Sequence, residues 1–176
     1  TEEDEGYIGG TEDPRIVYGF GGVIAYKNID FNFFFQGTAD AHRVIGNSTI
    51  FLPGSGTTVQ GNAYSENLDD RWTDDNQDPY AFWPRLTYGP NKNNYRASTW
   101  WKKDMSFLRL KTVEIGYTFP KKWMEKIYSK GARVFVSGNN LLCFSPFKLW
   151  DPELGTNNGL KYPMNRSILF GIDINF

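Results

Sequence analysis

Ser167-Ile168-Leu169-Phe170-Gly171-Ile172-Asp173-Ile174-Asn175-Phe176 is the stretch that decides the fold. Ile168, Phe170, Ile172, Ile174 and Phe176 fall on one parity, and Leu169, Gly171, Asp173 and Asn175 fall on the other. A period of two is the period of an extended strand, in which successive side chains point to opposite faces. A strand with one apolar face and one polar or small face suits a wall between lipid and a watery lumen, as in an outer-membrane β-barrel. The closing strand of a secreted β-sandwich would show the same alternation, so the rest of the chain must separate the two.

Working outward, the same period recurs. In Ile29-Asp30-Phe31-Asn32-Phe33-Phe34-Phe35-Gln36, the residues Ile29, Phe31, Phe33 and Phe35 share a face opposite Asp30, Asn32 and Gln36. Lys27-Asn28 is short enough to turn this strand back onto Arg15 to Tyr26 as a hairpin. In Phe107 to Phe119, Leu108 and Leu110 lie on one parity, whereas Val113, Ile115, Tyr117 and Phe119 lie on the other. The switch near Lys111-Thr112 predicts a β-bulge, because one extra residue moves every following side chain to the other face. Pro120 then ends the strand. Lys121 to Lys130 can form one or two helical turns with Trp123, Ile127 and Lys130 on one side. Ala132, Val134 and Val136 oppose Arg133, Phe135, Ser137 and Asn139 in a fourth strand.

Composition agrees with an all-β fold: 17% of the residues are aromatic, with 18 Gly and 9 Pro, which favours strands and turns over helices. The net charge of -1, with no long run of Lys and Arg, argues against a nucleic-acid partner. Cys143 is the only cysteine and His42 the only histidine, which excludes an internal disulfide and a Cys or His metal cluster. The mean hydropathy is -0.51, and no apolar run approaches the about 18 residues of a transmembrane helix. A barrel escapes that test, because lumen-facing residues dilute its lipid-facing ones. The chain starts at Thr1 without an initiator Met or an export signal, so it is expected to be a piece of a longer protein.

The expected organisation is an acidic loop or tail over residues 1–14 and a barrel portion over 15–176. Its strands are placed at about 15–27, 28–38, 105–119, 132–142 and 166–176, with long loops at about 39–104 and 143–164. Thr38 to Asp104 shows no sustained alternation and is dense in Gly, Asn, Asp, Pro and Trp. Irregular connections of that length are uncommon in compact soluble domains, whereas outer-membrane barrels pair short periplasmic turns with long outer loops. Five strands fall short of the about eight that the smallest such barrel needs.

Several segments together resemble the SusC/RagA family of TonB-dependent outer-membrane transporters. Asp70-Arg71-Trp72-Thr73-Asp74-Asp75-Asn76 and Trp83-Pro84-Arg85-Leu86 are similar to its DRWTPEN…PRL segment, with Asp74-Asp75 in place of Pro-Glu. Ser106 to Pro120 resembles its SFLRLKNVTLGYTLP strand, and Val136-Ser137-Gly138-Asn139-Asn140-Leu141-Leu142 its VSGQNLL strand, with Asn139 in place of Gln. Trp150-Asp151-Pro152-Glu153, Tyr162-Pro163 and the Phe-terminated last strand follow in the family's order. The resemblance implies the last five strands of a barrel of about twenty-two, plugged by an N-terminal domain that this chain lacks. It implies no enzyme and no cofactor. It implies an importer of oligosaccharides or peptides in the bacterial outer membrane, C-terminus in the periplasm, driven through TonB by way of the absent N-terminal part. The implied partners are a SusD-like surface lipoprotein that acts as a lid, the remaining barrel strands and plug, and outer-membrane lipid. The alternative from another class is a secreted β-sandwich that binds carbohydrate through surface tryptophans.

Individual residues admit rival readings. Phe170, Ile172, Ile174 and Phe176 resemble the signal read by the barrel-assembly machinery, and they equally serve barrel closure. Trp72, Trp83, Trp100 and Trp101 could stack on sugars, meet a lid protein, or pack the loop against itself. Asp69, Asp70, Asp74, Asp75 and Asp78 offer calcium-type oxygen ligands, but their spacing matches no EF-hand and a solvated loop also accounts for them. Trp123 and Tyr128, beside Lys121, Lys122 and Lys126, suit a membrane interface. The sequons at Asn47 and Asn165 are formal only, and His42 has no catalytic partner nearby in sequence.

Overall fold

The computed structural model describes residues 5–45, 65–87 and 91–176. The sequon at Asn47 lies outside them, as do the first acidic residues of the tail. Among the described residues, seven strands form: β1 (Ile16–Tyr26), β2 (Ile29–Ala39), β3 (His42–Val44), β4 (Lys102–Asp104), β5 (Phe107–Thr118), β6 (Gly131–Phe144) and β7 (Ser167–Asn175). Two four-residue helices accompany them, α1 (Glu66–Asp69) and α2 (Lys121–Met124). The chain divides into two compact units, one built on the large sheet and one on the long loop.

In the first unit, five strands make one antiparallel sheet in the order β1-β2-β5-β6-β7. The β1–β2 hairpin closes at the Tyr26↔Ile29 pair, with Lys27 taking the left-handed backbone (φ 54°) that so tight a turn demands. Between β2 and β5, Thr112 pairs with Phe34 but Leu110 pairs with Phe35, so Lys111 is the extra residue of a bulge. The parity switch in the sequence is thus a real bulge at the expected place. Opposite it, Asn139 to Leu142 of β6 spans Thr112 to Leu110, and Asn140 absorbs the mismatch at φ 54°.

Register fixes what shares a face, because directly opposed residues point the same way. Phe20, Ile24 and Tyr26 of β1 align with Phe35, Phe31 and Ile29 of β2, then with Ile115 and Tyr117 of β5, Val136 and Val134 of β6, and Phe170 and Ile172 of β7. Phe20 and Phe35 stack at 5.2 Å, and Phe31, Phe33 and Phe35 run in contact along β2. This face is apolar across all five strands and largely uncovered: Phe170 is 81% exposed and Ile172 68%. Among the described residues, no second sheet of the kind a sandwich would have packs on this face.

The opposite face carries Asp30, Asn32, Gln36, Glu114, Arg133, Ser137, Asn139 and Asp173, interspersed with glycines. A Cβ on Gly171 would lie 2.2 Å from the Phe135 ring, and one on Gly116 would strike the Arg133 guanidinium. Each glycine therefore leaves room for a large neighbour to lie flat on the sheet.

The second unit is not wholly irregular, in contrast to the sequence reading of Thr38 to Asp104. Two short strands, β3 and β4, pair within it, and Arg71 bridges to Trp83 in parallel. Trp83 and Trp101 are each only 3% exposed and meet edge to face at 6.1 Å. Period-based reading misses such a unit, because three-residue strands are too short to establish alternation.

Candidate functional site

The polar face of the large sheet holds two ionic clusters that come from distant parts of the chain. In the first, Arg133 of β6 donates from Nε to Asp30 of β2 at 3.1 Å and from Nη2 to Glu114 of β5 at 2.7 Å. A second bond joins Nη2 to Asp30, and Asp173 of β7 lies 3.9 Å from Nη1. One guanidinium thereby ties four strands. Its planar fork suits several carboxylates at once, which a lysine could not match.

The second cluster lies at the bulge. Arg109, 3% exposed, bonds through Nη2 to Asp151, while its Nε meets a Glu153 oxygen as a charge contact without hydrogen-bond alignment. Lys111, freed from the ladder as the bulge residue, donates to both Glu153 oxygens at 2.8 and 3.1 Å. Asp151 Oδ1 also accepts from the Glu153 backbone amide at 3.0 Å, which shapes the short turn at Pro152–Leu154. Ser145 and Phe147 continue the attachment: Ser145 Oγ donates to the Ser106 carbonyl at 2.8 Å, and Phe147 packs edge to face on Trp150 at 4.7 Å. The segment after β6 is therefore latched to β5 at both ends. Parity alone marks Asp30, Glu114 and Arg133 as cofacial, but it does not say which strands are neighbours. Nothing in the sequence outside the family motif signals the Arg109 latch.

In the loop unit, a cleft of about 1080 Å³ is lined by Trp72, Arg85, Arg96 and Trp100, among others. Trp72 and Trp100 are half-buried, and Trp100 Nε1 donates to the Phe82 carbonyl at 3.3 Å. Trp83 and Trp101 pack in the core of the unit at 3% exposure, and Trp101 also lines the cleft with Trp72 and Trp100. Lys103 sits 3.9 Å from the Phe82 ring centre and donates to the Phe82 carbonyl. Burial pushes its ammonium below the ordinary lysine range, opposed by the nearby Asp70 carboxylate.

The acidic loop residues do not converge on a cation site. Asp74 pairs with Arg85 at 2.8 Å, and Asp78 accepts from the Tyr80 amide at 2.8 Å. Among the described residues, no three His, Cys, Asp or Glu side chains come together as metal ligands. Of Asp69, Asp70, Asp74, Asp75 and Asp78, two carboxylates thus have an arginine or a backbone amide as partner, as a solvated loop would provide. Of the proposed assembly residues, Phe170, Ile172 and Ile174 stand on the exposed apolar face, and Phe176 follows at 75% exposure.

No protein-family model matches the chain. The chain is 32% identical to the TonB-dependent receptor P26 of Formosa agariphila, over 98% of its own length and 18% of the relative's. It is 23% identical to the TonB-dependent receptor SusC of Bacteroides thetaiotaomicron, over 92% of its own length and 15% of that protein. Its fold matches the RagAB peptide importer in the closed-closed state with a TM-score of 0.71 at 26% identity, covering 93% of this chain and 17% of that one. The chain spans less than a fifth of the length of these proteins. An antiparallel sheet with one apolar and one charged face, matched in sequence to receptors and in shape to an importer, places this chain in the SusC/RagA family of TonB-dependent receptors, as a C-terminal barrel portion.

Proposed function

We propose that the chain forms part of the wall of an outer-membrane importer of oligosaccharides or peptides, a barrel of about twenty-two strands. The observation that carries this reading is the two-faced sheet: an uncovered apolar face meets lipid, and the Arg133 and Arg109 clusters face the wet interior. The turns at Lys27-Asn28 and Pro120–Gly131 lie on the periplasmic side, as does the C-terminus. The long loops at about 39–104 and 143–164 lie outside, where Trp72 and Trp100 border a cleft that receives substrate or a SusD-like lipoprotein lid. Plug, TonB contact and the remaining strands come from parts of the protein that this chain does not include. The terminal strand closes the barrel and, through Phe170, Ile172, Ile174 and Phe176, serves as an address for the assembly machinery.

The test uses the full-length protein in its own cells, with Cys143→Ser as background and single cysteines introduced as Tyr162→Cys or Lys126→Cys. A membrane-impermeant maleimide should label the first in intact cells and the second only after permeabilisation. Uptake of labelled oligosaccharides or oligopeptides should stop on gene deletion or on collapse of the proton gradient. Reversed labelling, or unchanged uptake of both substrate classes, overturns the reading.

A further inference from the structure

The apolar face of the sheet is not finished alike at its two ends. At the short-turn end, Tyr26 of β1 lies under the Lys27 ammonium, 5.2 Å from ring centre to Nζ. Tyr117 of β5 leads to Phe119 at 5.3 Å and on to Trp123 of α2 at 6.5 Å. This aromatic run carries the apolar face directly into the basic turn, where Trp123 is 56% exposed. Lys121, Lys122, Lys126 and Lys130 are all exposed in that turn, and Glu125 is its one acidic residue. Ser129 Oγ and the Lys130 amide both donate to the Asn175 carbonyl at 2.8 Å, so the turn is held against the end of β7.

An apolar groove of about 510 Å³ lies on the same face. Val134 and Val136 line it along β6, with Ile29 and Tyr117 on one side and Phe170 and Ile172 on the other. Tyr117 belongs both to the groove and to the aromatic run that reaches Trp123, so groove and lysines are continuous. Lys130 Nζ donates to the Phe176 oxygen at 2.7 Å, which leaves Lys121, Lys122 and Lys126 beside Glu125. An acyl chain fits an apolar groove, and a headgroup beside those three ammoniums and one carboxylate must be negative to gain from them. Aromatic rings with polar edges settle at headgroup depth, which sets that level at Trp123.

We infer that this rim and groove form a binding site for an anionic glycerophospholipid, its acyl chain along β6 and its headgroup on Lys121, Lys122 and Lys126. This rests on the reading that the apolar face meets lipid. The full-length protein, released from detergent micelles containing equal phosphatidylglycerol and phosphatidylcholine, should retain phosphatidylglycerol preferentially in native mass spectrometry. The variant Lys121→Gln/Lys122→Gln/Lys126→Gln should lower that preference by on the order of 10- to 100-fold at low ionic strength. The corresponding triple Lys→Arg variant should keep it. The substituted side chains are exposed, and heat-modifiable gel mobility checks that each variant has folded. Equal retention of the two lipids by the unaltered protein overturns the proposal, as does an undiminished preference in the Gln variant. Retention of neither lipid overturns the proposal as well, whereas the membrane reading beneath it fails only on the reversed maleimide labelling, which separates the two failures.

Discussion

Replacing Arg109 by Met tests whether the latch between β5 and the Asp151–Glu153 segment holds the end of the sheet where β5 begins. The guanidinium is nearly buried, while Asp151 and Glu153 keep about a sixth of their side-chain surface exposed at 16% and 19%. Removing one partner of a fully buried ion pair costs about 3–5 kcal/mol, because the other charge is left stranded. Here the stranded carboxylates reach some water, and Lys111 still neutralises Glu153, which brings the expected loss to about 2–3 kcal/mol. Methionine keeps most of the side-chain volume, so little of that is cavity formation. Lys111→Met should cost about 1 kcal/mol or less, since that lysine is part-exposed and Glu153 keeps Arg109. Arg109→Met/Asp151→Asn should recover part of the single-variant loss, because the orphaned charge is gone. The readout is the urea midpoint of the full-length protein in vesicles, followed by heat-modifiable mobility, together with amide exchange over residues 145–154. The reasoning fails if Arg109→Met and Lys111→Met cost the same, or if exchange in that segment does not rise.

Glycine substitutions should differ according to what each Cβ meets. At Gly37 it would stand 2.4 Å from the Phe107 carbonyl, a backbone atom that cannot swing aside, so Gly37→Ala should cost about 1–3 kcal/mol. At Gly171 it meets the far end of the Phe135 ring, so Gly171→Ala should cost about 1 kcal/mol and be relieved by Phe135→Leu; urea midpoints give both. Trp83→Ala should destabilise the loop unit by about 3–5 kcal/mol, read as raised amide exchange there, whereas Trp100→Ala should leave exchange unchanged and lower ligand or lid affinity. Deletion of Phe176 should reduce the amount of protein in the outer membrane while uptake per assembled molecule stays constant; normal surface levels would argue against an assembly role.

Much of the sheet could be read before any coordinates. Alternation at Ile29–Gln36, Phe107–Phe119 and Ser167–Phe176 is a local property, because parity depends only on the extended backbone. The bulge at Lys111 was legible for the same reason, as an interruption of parity. The loop unit was not. Its tryptophans look alike in sequence, and only packing distinguishes buried Trp83 and Trp101 from half-buried Trp72 and Trp100. For the acids of residues 69–78, the sequence could not say that Asp74 meets Arg85 or that Asp78 accepts from the Tyr80 amide.

The terminal strand shows the division clearly. By itself the sequence determined that Ile168, Phe170, Ile172 and Ile174 share one face, that the neighbouring strands carry matching faces, and that the ordered motifs belong to one receptor family. The tertiary structure decided which strands are neighbours, and so that Arg133 joins Asp30, Glu114 and Asp173 across four of them. It also decided that the apolar residues of all five strands gather on one exposed face. The reason is physical: side-chain direction is set by adjacent residues, whereas ion pairing and burial depend on segments brought together from 19 to 103 residues apart.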